Sequence, residues 1–179
     1  MEEEIVIELC GGIMPGKAHV SDAAFDVYSS EDVKLEPYSR CAVPLGFRMR
    51  LPDNYCADIL PRSGMSVQGL PVDVFIEGMG TRKMYLDADV LHGLIDSGYR
   101  GVVNAIVRVG EGVTLWPSKL RITECVLRKG TKVAQMRINR IPNVNLYSSV
   151  IDDDTDRGTT GFGNSGESCS SSEDTDGDE

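Results

Sequence analysis

Apolar and β-branched residues recur along this chain in short runs cut by Gly, Pro, Asn and Asp, and few stretches keep a helical period for three turns. The pattern predicts strands over Ile5 to Cys10, Cys41 to Leu51, Cys56 to Leu60, Val72 to Ile76, Gly101 to Val109, Val113 to Trp116, Arg121 to Leu127 and Lys132 to Ile141. Pro37, Pro44, Pro52 and Pro71 fall at or near the ends or edges of these runs, where a missing N–H is tolerated, and Pro52-Asp53-Asn54 reads as a turn. A single short helix is expected somewhere between Ser63 and Leu91. An all-β antiparallel sandwich or barrel follows.

The pattern is lost after Val150. An acidic run, Asp152-Asp153-Asp154-Thr155-Asp156, leads into a Gly-rich piece from Arg157 to Gly166 that carries one Arg and one Phe, and an acidic serine tract ends the chain. The expected organisation is a β core over residues 1–151, a Gly-rich arm over 152–166 and a disordered acidic tail over 167–179.

Charge sharpens this division. The formal net charge of −10 splits unevenly: residues 1–151 hold 18 acidic and 17 basic side chains, and residues 152–179 hold 10 acidic ones and a single Arg. A near-neutral core argues against direct nucleic-acid binding, which rests on a basic face that neutralises phosphates. The chain has 179 residues, 41% of them hydrophobic, enough for one sizeable core. No run approaches the roughly 20 apolar residues of a membrane helix, and Met1-Glu2-Glu3-Glu4 lacks the basic start of a signal peptide. Five cysteines without a C-x-x-C pair suggest neither a disulfide framework nor a zinc knuckle. The expectation is a soluble intracellular protein, cytoplasmic or nuclear, with no membrane partner.

Five segments bear on chemistry. Asp26 alternates with large apolar neighbours, so it is either buried with partners or facing a site. Pro61-Arg62-Ser63-Gly64 follows a predicted strand and offers a guanidinium, a hydroxyl and loop N–H groups to phosphate; taken alone, a plain turn with an exposed Arg is the stronger reading. Gly93 to Gly101 reads as a strand, a tight turn and a return strand, with Asp96 and Tyr99 in the turn, where a carboxylate can meet water or a sugar hydroxyl. Gln135 is a lone amide in an apolar strand and needs a partner, from backbone or ligand. In the Gly-rich piece, Gly lets backbone N–H groups approach phosphate, Arg157 supplies a fork of donors, and Phe162 can stack on a base; a flexible linker is the competing reading.

In this order, Ala23 to Ser30, Pro61 to Ser66, Gly93 to Gly101, Gly130 to Gln135 and Arg157 to Gly166 resemble the five motifs of the trimeric deoxyuridine triphosphatases. The resemblance implies a distorted jelly-roll or β-barrel, assembled as a homotrimer with the C-terminal arm exchanged between subunits. It implies hydrolysis of dUTP to dUMP and pyrophosphate, which limits uracil incorporation into DNA and supplies dUMP for dTMP synthesis. By the same similarity Asp96 would be the general base, Tyr99 would stack beneath the deoxyribose, and backbone groups of Gly93, Leu94 and Ile95 would pair with the uracil edge. Arg62, Ser63, Gly64 and Gln135 would bind the triphosphate, and Asp26 would reach through water a magnesium ion held mainly by the triphosphate. From a neighbouring subunit, Phe162 would cover the uracil while Arg157, Gly163 and Ser165 close on the phosphates.

Departures from the motifs (Ala24, Thr160, Asn164 and Ser165) remove no named chemical group. The stretches 67–91 and 108–128 read as insertions. A deaminase of the same architecture would need an acid in the strand after the hairpin, and Val102 to Val107 has none. A catalytically idle interaction module would have lost Asp96, Tyr99 or Arg157, and all are present. In the tail, Ser170, Ser171 and Ser172 precede Glu173 and Asp174, a context that suggests a kinase or a protein partner.

Overall fold

The computed structural model describes residues 4–113, 121–151 and 155. It is all-β apart from one short helix: β1 (Val6–Leu9), β2 (Phe25–Tyr28), β3 (Val33–Leu35), β4 (Arg40–Pro44), β5 (Phe47–Arg50), β6 (Tyr55–Leu60), α1 (Ser63–Gln68), β7 (Leu70–Ile76), β8 (Gly80–Leu91), β9 (Gly93–Ile95), β10 (Asn104–Val113), β11 (Ile122–Leu127) and β12 (Lys132–Arg140). Strands β3-β11-β7-β8-β10-β4 form one sheet, β2-β12-β6-β9 a second, and β1-β5 a two-stranded ribbon. All pairs are antiparallel.

Alternation places the core. In β7, Leu70, Val72, Val74 and Ile76 are buried while the residues between them are not, and in β8 Leu86, Ala88 and Val90 repeat the pattern, as a sheet with one solvated face requires. These side chains meet Val27, Ala57, Ile59, Val133, Ala134 and Met136 of the four-stranded sheet in one cluster. The chain divides into compact units at 1–143 and 144–179. In the second unit Val144, Leu146, Tyr147, Val150 and Ile151 are exposed.

Several expectations are corrected. Cys41 to Leu51 is two strands, not one, because Pro44 has no N–H to continue a ladder and Gly46 takes a left-handed φ of +68°; β4 and β5 then join different sheets. The single short helix expected between Ser63 and Leu91 is α1, whereas residues 80–91, where no strand was expected, form a long strand paired with β7 across Glu77 to Met79. The run expected from Gly101 begins as a strand only at Asn104 and continues to Val113. Residues 114–116 lie outside the described residues. The expected return strand after the Gly93–Gly101 turn does not pair with β9. Instead Val103 donates its N–H to the Phe47 carbonyl and accepts one from Leu45, both at 2.9 Å, carrying the chain into the six-stranded sheet.

That crossing needs two glycines. A Cβ on Gly46 would lie 2.4 Å from Ser30 Cβ and 2.6 Å from the Gly12 backbone, and one on Gly12 would lie 2.3 Å from the Leu45 carbonyl oxygen. Gly46→Ala therefore combines a left-handed conformation with a backbone clash and should cost about 2–5 kcal/mol. Gly78→Ala, also at positive φ (+76°) but in open space, should cost about 1–2 kcal/mol. Urea denaturation of both variants checks the difference; equal losses would show that the contact at Gly46 is not tight.

Candidate active site

Strand β12 assembles one group of predicted residues. It pairs Gln135 with Asp26 of β2 on one side and with Leu60 of β6 on the other. Residues directly opposite on neighbouring strands point to the same face. Pro61 and Arg62 follow β6 directly, so the first, second and fourth segments converge. Arg62 Nε lies 3.0 Å from Asp26 Oδ1, and Lys132 Nζ lies 2.7 Å from Asp26 Oδ2. The hydrogen bond from Lys132 to Asp26 raises the lysine pKa, so it stays charged. The Gln135 amide donates to the Pro61 carbonyl at 2.8 Å, tying the strand to the Arg62 loop. Ser63 and Gly64 are exposed in the first turn of α1, which is anchored by buried Met65. A cleft of about 300 Å³ opens here, lined by Asp22, Ala24, Asp26, Leu60, Gln135 and Arg137.

The third segment stands elsewhere. β9 is an edge strand whose Gly93, Leu94 and Ile95 pair with Ile59, Asp58 and Ala57 of β6. Asp96 follows level with Cys56, four residues back along β6 from Leu60 and three strands across from Asp26. At about 3.3 Å per residue and 4.8 Å per strand, Asp96 and Asp26 are about 20 Å apart. The turn is braced internally: Tyr99 N–H donates to the Asp96 carbonyl at 3.1 Å, and Arg100 donates to the carbonyls of Ser97 and Tyr99 at 2.6 and 2.8 Å. The Tyr99 hydroxyl donates to the Val102 carbonyl at 3.1 Å, and its ring lies over Gly101, where a Cβ would meet the hydroxyl oxygen. The Asp96 carboxylate is exposed and has no side-chain partner among the described residues. Arg157, Phe162, Gly163 and Ser165 lie outside the described residues.

Between these groups sits a network that sequence reasoning missed. Asp58 of β6 is the one buried charged side chain among the described residues, 4% exposed. Its Oδ1 is 3.0 Å from His92 Nε2, and its Oδ2 accepts from Arg137 at 2.8 Å and Asn139 at 2.6 Å. Burial pushes the Asp58 carboxyl up, but the hydrogen bonds from His92, Arg137 and Asn139 outweigh it and hold the pKa below the ordinary aspartate value. Lys132, Arg137 and His92 had no local signal; only Asp58, an acid in an apolar strand, carried the anomaly that also marked Asp26.

No group of three His, Cys, Asp or Glu side chains converges to hold a metal among the described residues. Both Asp26 oxygens already face cations. Also among the described residues, no helix is long and apolar enough to cross a membrane.

A family model described as dUTPase matches residues 12–80. The deoxyuridine 5'-triphosphate nucleotidohydrolase of Clostridium kluyveri is 31% identical over 156 residues, covering 86% of this chain and 90% of its own length. That of Mycobacterium leprae is 32% identical over 168 residues, covering 90% and 93%. Among solved structures, a mutant Staphylococcus bacteriophage 80alpha dUTPase with dUpNHpp superimposes with a TM-score of 0.71 at 22% identity, covering 92% of this chain and 99% of that one. A mutant dUTPase from phage phi11 of S. aureus, described with a structural Mg(II) ion, gives 0.64 at 21% identity over 82% and 96%. Both share the fold.

The depressed Asp58 pKa has a thermodynamic consequence. A carboxyl more acidic folded than unfolded contributes stability that is fully present above the unfolded pKa and lost as pH falls through the folded one. Asp58→Asn should cost about 1–3 kcal/mol at pH 7. The gap to the unmodified protein should narrow as pH falls below about 4. Denaturation midpoints across pH 2–7 measure this; a gap independent of pH would contradict an ionised, bonded Asp58.

Proposed function

The chain belongs to the dUTPase family and hydrolyses dUTP, and we propose that it does so by water attack on the α-phosphorus, giving dUMP and pyrophosphate, at a site that two or more copies of the chain build together. The separation of the two halves carries this reading. General-base attack needs the base within hydrogen-bonding reach of the water, and the water about 3–3.5 Å from phosphorus. By ladder geometry Asp96 stands about 16 Å from Gln135 and about 20 Å from Asp26 of the same chain, a separation that a second copy of the chain closes.

The roles proposed are those that the family resemblance implies, and position supports the first of them. Arg62, with loop groups of Ser63 and Gly64, and Gln135 bind the triphosphate. Arg62 is held ready by Asp26, and Lys132 keeps that carboxylate compensated when phosphate draws the guanidinium away. Asp96, exposed and unencumbered, takes the proton of the attacking water. The backbone of Gly93, Leu94 and Ile95 reads the uracil edge, and the braced Tyr99 ring lies under the deoxyribose where a 2′-hydroxyl would have to fit. Arg157, Phe162, Gly163 and Ser165 close the site from another subunit, in a homotrimer. Magnesium carried by the triphosphate would neutralise phosphate charge, and Asp26 would meet it through water. The acidic tail takes no part in the chemistry and serves a kinase or protein partner.

Asp96→Asn keeps shape and binding but cannot take a proton, so kcat should fall by about 10²- to 10⁴-fold. Mixing that variant with a chain truncated before Arg157 should restore activity that neither has alone, because a mixed assembly can combine an intact Asp96 with an intact arm. No recovery on mixing, with assembly confirmed by sedimentation, would contradict the shared site. Removal of the ring under the sugar in Tyr99→Ala should raise activity on UTP relative to dUTP; an unchanged ratio would move sugar discrimination elsewhere.

A further inference from the structure

The turn from Asp96 to Val102 is rigid within itself, bound by its own backbone and by Arg100, so its placement depends on how its two ends are fastened. The far end is clamped at Val103, fully buried and bonded to Leu45 and Phe47. At the near end β9 is three residues long and, among the described residues, has β6 as its sole ladder partner. A side-chain bond reinforces that end: His92, immediately before β9, meets Asp58, which stands opposite Leu94 of β9. Asp58 in turn is bonded by Arg137 and Asn139 of β12, the strand that carries Gln135.

We propose that Asp58 and His92 are positioning residues for the Gly93–Gly101 turn: the buried carboxylate, fixed by β12, grips His92 and so determines where Asp96 and Tyr99 stand. The proposal rests on the roles given to Asp96 and Tyr99 above. Apart from His92, Asp58 bonds Arg137 and Asn139 of β12, and burying a carboxylate is costly unless it is paired and hydrogen-bonded. His92 is a suitable grip because the ionised carboxylate only accepts, so Nε2 must donate whatever the protonation of Nδ1.

His92→Ala and His92→Gln separate positioning from general stability. The His92 side chain is 61% exposed, so truncating it removes little packing, and the Gln amide nitrogen can reach the place of Nε2. In the ligand-free protein, amide hydrogen exchange over 93–101 should accelerate in His92→Ala but not in His92→Gln, with β12 unchanged in both. In turnover, His92→Ala should lose about tenfold in kcat/KM for dUTP, the scale expected for one charge-assisted hydrogen bond. It should also discriminate less well against dCTP, whose edge presents the opposite donor and acceptor pattern; His92→Gln should recover both. Exchange and kinetics of His92→Ala like those of the unmodified protein would overturn the proposal, as would losses that His92→Gln fails to restore. Failure of the unmodified protein to hydrolyse dUTP would instead overturn the functional reading, and the exchange data would still decide whether His92 holds the turn.

Discussion

Strand β12 sets the constraint on which the rest depends. By pairing with β2 on one side and β6 on the other, it brings Asp26, Gln135 and Leu60 into one row and draws the Arg62 loop against that row. The same ladder, continued through β6 to β9, places Asp96 at the far end of the sheet. Ladder register is stiff because a slip of one residue would turn every side chain to the wrong face. The segments proposed to bind phosphate and to activate water are therefore held apart in each chain, which is the ground for proposing that a second chain completes the site.

The electrostatics of the two halves follow from burial. Around Asp26 a carboxylate faces two cations, Arg62 and Lys132, an arrangement consistent with the triphosphate-binding role proposed for Arg62. Around Asp58 a carboxylate in a drier place receives three donors and stays ionised. Arg137 belongs to both regions: it bonds Asp58 and lines the cleft that Asp26 and Gln135 share. Asp96 differs from both in lying exposed, in keeping with the general-base role proposed for it.

Much of this was legible in the sequence because it is local. The apolar runs at β1, β6, β7, β11 and β12 announced themselves by composition, and Asp26 and Gln135 by being polar where their neighbours are not. The misses are long-range. The 80–91 strand opens on Gly-Thr-Arg-Lys and carries Asp and Ala, poor strand formers, and is settled by its pairing with β7. The destination of the chain after Gly101 depends on Val103 finding Leu45 and Phe47. His92 and Arg137 meet Asp58 across 34 and 79 residues of sequence, distances over which spacing carries no signal.

The central claim is that one nucleotide is held by more than one copy of this chain. A crystal structure with a non-hydrolysable imido analogue of dUTP tests it directly. The account predicts phosphates on Arg62 and Gln135 of one copy, with Asp96 and Tyr99 of another copy at the α-phosphorus and the sugar. A nucleotide that meets Arg62, Gln135, Asp96 and Tyr99 all from a single copy would contradict it.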